Sequence, residues 1–293
     1  MIMKIKHIDI TLDNALKVHS VLYGDPKVAN TLVVLIHGLV NDWESWMPFI
    51  SLYNGSELCF LLIDLPGYGV SGKMKQYSFA EYSQQIRKVA RSVIDTEFST
   101  TPVAWIGGLS LGSMIAIQCS ADSPDLFSGS ILFGPLIKST LEGPFYNVVV
   151  RNFGRVINKI PYSDALVGVV IRSGVFHFIG WVNNTTKMSW SDYKKATIAG
   201  MKKTSGRAFA HMVVETIEFD GLSKLSEVAQ RSKVVVLAGE KDRFYKSPAV
   251  LKRTIEGLGS GSRCSIIPNV GHVLVYESPE ATLAEMVNLI EEL

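Results

Sequence analysis

The stretch Val103-Ala-Trp-Ile-Gly-Gly-Leu-Ser-Leu-Gly-Ser-Met-Ile-Ala116 decides how the rest of the chain is read. An apolar run, Val103 to Ile106, leads into a glycine-flanked serine, and a helical pattern with Met114, Ile115, Ile117 and Gln118 leaves it. That order is strand, sharp turn, helix. So tight a turn forces its central residue toward positive φ and leaves no room for side chains two positions to either side. Gly108 and Gly112 stand there, and the segment reads as a nucleophile elbow that lifts the Ser110 hydroxyl clear of the sheet edge at a helix N-terminus. A glycine-rich turn with an incidental serine is the bland alternative. The position between a strand and a helix argues against it.

Outward from the elbow, strands alternate with helices. Lys4–Thr11 and Leu16–Tyr23 alternate polar and apolar residues and predict a hairpin, whereas Thr31–Ile36 and Leu58–Ile63 are unbroken apolar runs, as in parallel strands covered on both faces. Asp42–Tyr53 carries Trp46, Phe49 and Ile50 at helical spacing, and Glu81–Glu97 places Tyr82, Ile86, Val89, Ala90, Val93 and Ile94 on one helical face. Gly129–Phe133 is a further strand. From Leu136 to Gly221 the alternation stops, and it resumes with Lys233–Gly239 as strand, Ser247–Gly257 as helix, Arg263–Pro268 as strand and Pro279–Leu293 as a helix capped by Ser278. The pattern predicts an α/β fold with a mostly parallel eight-stranded sheet and helices on both faces. Residues 1–135 and 222–293 form its core, and 136–221 is an insertion after the sixth strand.

Net charge is +2 and only 19% of the 293 residues are charged, so there is no electrostatic footprint for a nucleic-acid partner. Cys59, Cys119 and Cys264 lie in apolar stretches without metal or disulfide spacing and are expected to be reduced core thiols. No signal-peptide pattern opens the chain and no run of 18 apolar residues occurs, so a soluble cytoplasmic protein is expected.

A serine hydroxyl needs a positioned base, most often a histidine held by a carboxylate. His7 lies in the hairpin, away from the strand ends where ligands bind in open α/β sheets. His272 follows the last strand, in Asn269-Val-Gly-His272, and Asp242 follows the preceding strand, in Gly239-Glu-Lys-Asp242. The catalytic candidates are therefore Ser110, Asp242 and His272. Glu240 and Asp64 are the rival acids, although the setting of Asp64 reads better as a turn that ties down its own loop. For an oxyanion, the backbone N–H groups of Leu39 and Leu111 are the candidate donors, and His37 is expected to bond within its loop. No cofactor or metal is required.

Several short motifs carry a resemblance. They are His37-Gly38, Asp64-x-Pro-Gly-x-Gly-x-Ser71, Gly108-x-Ser110-x-Gly112, Gly239-x-x-Asp242, Gly271-His272 and Glu277-Ser-Pro-Glu280. With the order serine, acid, histidine, the chain resembles the α/β-hydrolase superfamily, in the capped branch of esterases, monoacylglycerol lipases, carbon–carbon bond hydrolases, epoxide hydrolases and dehalogenases. Epoxide hydrolases and dehalogenases of that branch use an aspartate at the elbow, and Ser110 argues against both. The resemblance implies a serine hydrolase that cleaves a carboxylic ester, or a related acyl bond, of a small to medium, largely apolar substrate. An acyltransferase with the same triad, or a ligand receptor with slow residual hydrolysis, are the alternatives. Many relatives carry glycine where this chain has Ser113, which predicts slightly looser helix packing there.

The resemblance does not extend to the insertion, expected to be a helical cap. It holds eleven Lys or Arg against six Asp or Glu and is rich in aromatic residues. Trp46 in the core and Phe145, Phe178 and Trp181 in the cap are the candidates for a substrate pocket. One reading is an apolar acyl pocket under a lid that makes transient contact with an anionic membrane surface. The other is a small cap with its own core and its charge turned outward. Oligomeric state is not encoded in any motif.

Overall fold

The structure, a computed structural model, describes residues 4–13, 15–137, 198–245 and 247–292. Eight strands lie in one sheet in the order β1-β2-β4-β3-β5-β6-β7-β8. They are β1 (Ile5–Thr11), β2 (Lys17–Tyr23), β3 (Thr31–Ile36), β4 (Leu58–Ile63), β5 (Val103–Leu109), β6 (Gly129–Phe133), β7 (Lys233–Gly239) and β8 (Ser262–Ile267). β2 is antiparallel to both β1 and β4, and the strands from β4 to β8 along the sheet run parallel. The chain steps from β3 to β4 on one side and then to β5 on the other. That reversal opens a crevice at the carboxyl ends of β3 and β5, where ligands bind in doubly wound sheets.

Period-two alternation divides the strand residues between two apolar layers. Val34, Ile36, Leu61, Ile63, Ile106, Val234 and Val236 face one layer, with α2 (Phe79–Glu97) and α3 (Leu111–Asp122). Val33, Leu35, Phe60, Leu62, Trp105, Val235 and Leu237 face the other, with α1 (Met47–Ile50) and later the C-terminal helix. Both faces of β3, β4 and β7 are thus covered, which is why these strands read as continuous apolar runs. Asp42–Tyr53 begins as a 3₁₀ turn, Trp43–Trp46, before α1. α2 starts at Ser78, whose hydroxyl accepts the Glu81 N–H at 3.1 Å.

Past the undescribed stretch the chain forms α4 (Gly206–Glu218), α5 (Gly221–Ala229), α6 (Pro248–Glu256), α7 (Leu274–Glu277) and α8 (Pro279–Glu291). The final part of the expected insertion packs on the sheet's own core. Ala208, Met212 and Phe219 join the apolar layer of α2 and α3, and the Glu215 carboxylate accepts the Phe79 N–H at the start of α2 at 2.9 Å. Ser278 holds the N-cap position of α8 but makes no side-chain capping bond; its carbonyl instead accepts the Thr282 hydroxyl at 2.7 Å. The rest of the expected cap, with Phe145, Phe178 and Trp181, lies outside the described residues. Among the described residues no helix is long and apolar enough to cross a membrane. All three cysteines are buried and unpaired, and burial pushes each thiol up to about 12.

The loops at the carboxyl edge are held by two buried polar groups. Asp64 accepts the Trp43 N–H at 2.8 Å and the Val70 N–H at 2.9 Å, so it ties its own turn to the loop after β3. Gly69, at φ 54°, lies where any side chain would strike that carboxylate. His37 is fully buried and donates from Nδ1 to the Gly38 carbonyl at 2.8 Å, while Nε2 accepts the Leu65 N–H at 3.1 Å. Both nitrogens are used by a neutral ring. Burial holds its pKa below the ordinary 6.5, against the opposing pull of Asp64.

Two predictions follow from these contacts. A Cβ on Gly112 would overlap the Ile36 carbonyl, whereas one on Gly261 would meet nothing within 4 Å. Alanine is the better helix former, so any loss at position 112 is steric. Urea unfolding should find Gly112→Ala destabilised by about 3 kcal/mol or more and Gly261→Ala changed by less than about 0.5 kcal/mol. For His37, the unfolded chain binds the proton more readily than the folded one. Its contribution is therefore fully present above the unfolded value of 6.5 and is lost as pH falls below it, at up to about 1.4 kcal/mol per pH unit. Unfolding free energies between pH 8 and pH 5 should fall along that slope, and His37→Gln should flatten it.

Candidate active site

The elbow forms where β5 turns into α3. Ser110 sits at φ 54°, ψ −112°, a left-handed backbone held in place from several sides. Its N–H donates to the Phe133 carbonyl at the end of β6, at 2.8 Å. A Cβ on Gly108 would run into the Gly112 backbone, and one on Gly112 into the Ile36 carbonyl, so the turn closes only with glycine at both places. Ser113 does not loosen the packing as expected. It is fully buried, and its hydroxyl reaches the Gly108 carbonyl and the Phe133 carbonyl, the latter at 3.1 Å, binding the helix start to both strands.

Asp242 and His272 meet as the strand-end placement predicts. His272 Nδ1 lies 2.7 Å from Asp242 Oδ2, with the two side chains 7% and 0% exposed. A carboxylate only accepts, so Nδ1 carries a proton, and in the neutral ring Nε2 keeps its lone pair. Nε2 is buried and has no hydrogen-bond partner among the described residues. The other carboxylate oxygen of Asp242 accepts the Phe244 N–H at 2.9 Å, and the Phe244 ring lies against the imidazole at a centroid distance of 4.5 Å. The rival acids are engaged elsewhere: Glu240 is exposed and accepts the Asn269 N–H at 2.9 Å, and Asp64 holds its turn.

The end of β6 links the histidine to the serine. Phe133 receives the Ser110 N–H, and the next residue, Gly134, at φ 58°, abuts the imidazole so closely that a Cβ there would come within 3.2 Å of His272 Cε1. Gly239 plays a similar part beneath the loop, since a Cβ on it would strike the Gly271 carbonyl. On the opposite side, Ile36 of β3 pairs with Gly108 of β5, which brings the following Gly38-Leu39 turn beside the elbow. Gly38 is close enough to the Leu109 carbonyl that a Cβ would lie 3.4 Å from it. Leu111 is the first residue of α3, so its N–H has no carbonyl to bond within the helix. Val40, at φ 60°, turns the chain away after Leu39.

Of the pocket candidates, Trp46 is enclosed in the core. It is fully buried, edge-on to Phe133 at 5.4 Å and packed on Phe49, because the helical period that singled it out marks the face turned toward the sheet. Phe145, Phe178 and Trp181 lie outside the described residues. Two site neighbours, Phe244 and Gly134, carry no distinguishing signal in the sequence, and a third, Glu277, stands there only as part of the Glu277-Ser-Pro-Glu280 motif. Among the described residues no group of three or more His, Cys, Asp or Glu is arranged to hold a metal ion.

Comparison with known proteins agrees with this architecture. A 2-succinyl-6-hydroxy-2,4-cyclohexadiene-1-carboxylate synthase from Escherichia fergusonii is 22% identical over 264 residues, covering 88% of this chain and 93% of that protein. Among solved structures, a thermophilic esterase from Thermogutta terrifontis with malate bound superposes with a TM-score of 0.73 at 16% identity, covering 98% of each chain. The epoxide hydrolase CorEH does so with a TM-score of 0.74 at 16% identity, covering 99% of each. Both structures are alike in fold. The family model for the alpha/beta hydrolase family matches residues 33–285, from the first parallel strand to the C-terminal helix, and the chain belongs to that family.

Proposed function

We propose that the protein is a serine hydrolase that cleaves a carboxylic ester, or a related acyl bond, through an acyl-enzyme. The observation that carries this reading is the buried Asp242–His272 pair, whose Nε2 has no hydrogen-bond partner among the described residues, at the sheet edge where Ser110 stands on a positive-φ elbow. In this reading His272 Nε2 takes the proton of the Ser110 hydroxyl as Oγ attacks the acyl carbonyl. Asp242 keeps the ring in the required tautomer and stabilises the imidazolium. The Leu39 and Leu111 N–H groups receive the oxyanion, and His272 then passes its proton to the departing alcohol. Water, activated by the same base, releases the acid. Hydrogen bonds of this kind shorten once substrate is bound.

The segment 136–221 is proposed as the cap that selects the substrate, small to medium in size and largely apolar. Its eleven cationic against six anionic residues favour a second reading of that substrate, as an acyl compound that also bears a carboxylate. The relative from Escherichia fergusonii is named for a carboxylate, and the esterase from Thermogutta terrifontis binds malate.

A panel of nitrophenyl esters with neutral and carboxylate-bearing acyl chains, with and without an added alcohol acceptor, tests the reading and separates hydrolysis from acyl transfer. A fluorophosphonate should label Ser110, as read by peptide mass spectrometry, and Ser110→Ala should fold normally while losing both labelling and turnover. Asp242→Asn should lower kcat by about 10³- to 10⁴-fold with little change in KM, by analogy with serine proteases. Glu240→Gln should stay within about tenfold of wild type. Full turnover in Ser110→Ala would end the serine mechanism, and a mild Asp242→Asn beside a severe Glu240→Gln would reassign the acid.

A further inference from the structure

Five residues after His272 stands a second buried acid that the proposed mechanism does not use. Glu277 closes α7 and is only 4% exposed. Its oxygens are divided between two backbone amides: Oε2 accepts the Gly271 N–H at 2.6 Å, and Oε1 accepts the Val273 N–H at 3.2 Å. Those amides belong to the residues on either side of His272. The helical turn is itself fastened from behind, by the Thr282 hydroxyl of α8 on the Leu274 carbonyl at 3.1 Å.

A carboxylate suits this place for a reason of valence. Both amides donate, so both oxygens must accept. Glutamine would offer one oxygen and turn an NH₂ toward the other donor, while an apolar residue would leave two buried N–H groups unsatisfied. Charge is the second consideration. The charged groups that bear on Glu277 are His272 and Asp242. α1 packs nearby through the apolar Phe49 and Ile50, and α8 through Thr282, Leu283 and Met286. Burial raises the Glu277 carboxyl above its usual range and Asp242 adds to the rise, whereas the two amides and His272 favour the ionised form. An anion here gains whenever the imidazole becomes positive.

We propose that Glu277 is a positioning residue for the hydrolysis argued above: it clamps the main chain on both sides of His272, and its negative charge supports the imidazolium formed when Ser110 gives up its proton. The inference rests on that reading of the site. Asp242 grips the ring of His272 while Glu277 grips its backbone, so the orientation of the base is fixed from two directions and its positive form faces two anions.

The test uses the full chain with Glu277→Gln, which removes the charge, and Glu277→Asp, which keeps the charge and loses the reach. Melting curves establish that each variant is folded. With a nitrophenyl ester, Glu277→Gln should leave KM within about threefold, lower kcat by about tenfold or more and move the acid limb of the kcat/KM profile to lower pH by about half a unit or more. Glu277→Asp should lower kcat with the acid limb in place. A residue with a merely structural role would leave that limb unmoved in both. Histidine-labelled protein followed by NMR gives the same comparison without turnover, the His272 ring titrating at lower pH in Glu277→Gln than in wild type. An unchanged acid limb and ring titration in Glu277→Gln would overturn the inference. A wild-type protein that neither turns over esters nor accepts the fluorophosphonate would instead overturn the hydrolase reading, and the ring titration would still decide the role of Glu277.

Discussion

The contact on which the rest of the site depends is backbone against backbone. Where β5 turns into α3, the Gly112 backbone presses on the Ile36 carbonyl of β3, and Gly108 presses on Gly112. No side chain separates them. This approach accompanies the left-handed conformation of Ser110 and puts the Ser110 N–H within reach of the Phe133 carbonyl. Strained backbone of this kind persists only where its surroundings over-determine it. Here three strand ends and the Ser113 hydroxyl do so.

Buried carboxylates recur around this point with a common solution. Asp64, Asp242 and Glu277 are all nearly inaccessible, and each spreads its charge over backbone N–H donors or a histidine. Such bonds offset part of the penalty of burying an ion and at the same time tie down the loops that carry these groups. The two buried histidines form a contrast. In His37 both ring nitrogens are engaged and the ring is confined to its neutral form. In His272 one nitrogen is engaged and the other has no partner among the described residues. One imidazole is thereby a strut on both sides, and the other is held by one nitrogen, as the proposed role of a base requires.

Much of this was legible in the sequence because it is written locally. The elbow needs its glycines two residues from the serine, parallel buried strands need unbroken apolar runs, and Asp242 and His272 each fall a few residues past a strand. What the sequence does not carry depends on distant partners. α4 was not separable from the insertion, since its apolar face makes sense only against α2 and α3. Trp46 shares its helical spacing with Phe49, and that spacing cannot tell a pocket wall from a core residue. Phe244 touches His272 only because β7 and β8 are neighbours. Ser278 does hold the N-cap position of α8, but it is also the C-cap of α7, and its side chain makes no capping bond.

The stretch from residue 138 to 197 leaves and re-enters the described fold at firmly held points. On the way out, the Tyr245 hydroxyl donates to the Pro135 carbonyl at 2.9 Å. On the way back, Lys203 pairs with Asp42 at 2.7 Å, the Ser205 N–H bonds the Gly67 carbonyl at 2.7 Å, and Gly200 sits against Val40, next to Leu39. Such an arrangement behaves as a cassette socket. An exchange of the intervening sequence, by recombination or by a protein engineer, would fall between two seams that the described core holds in place. The seam at Gly200, Lys203 and Ser205 also means that a graft trimmed a few residues too far would disturb the turn at Val40 and Asn41 and the loop at Gly67.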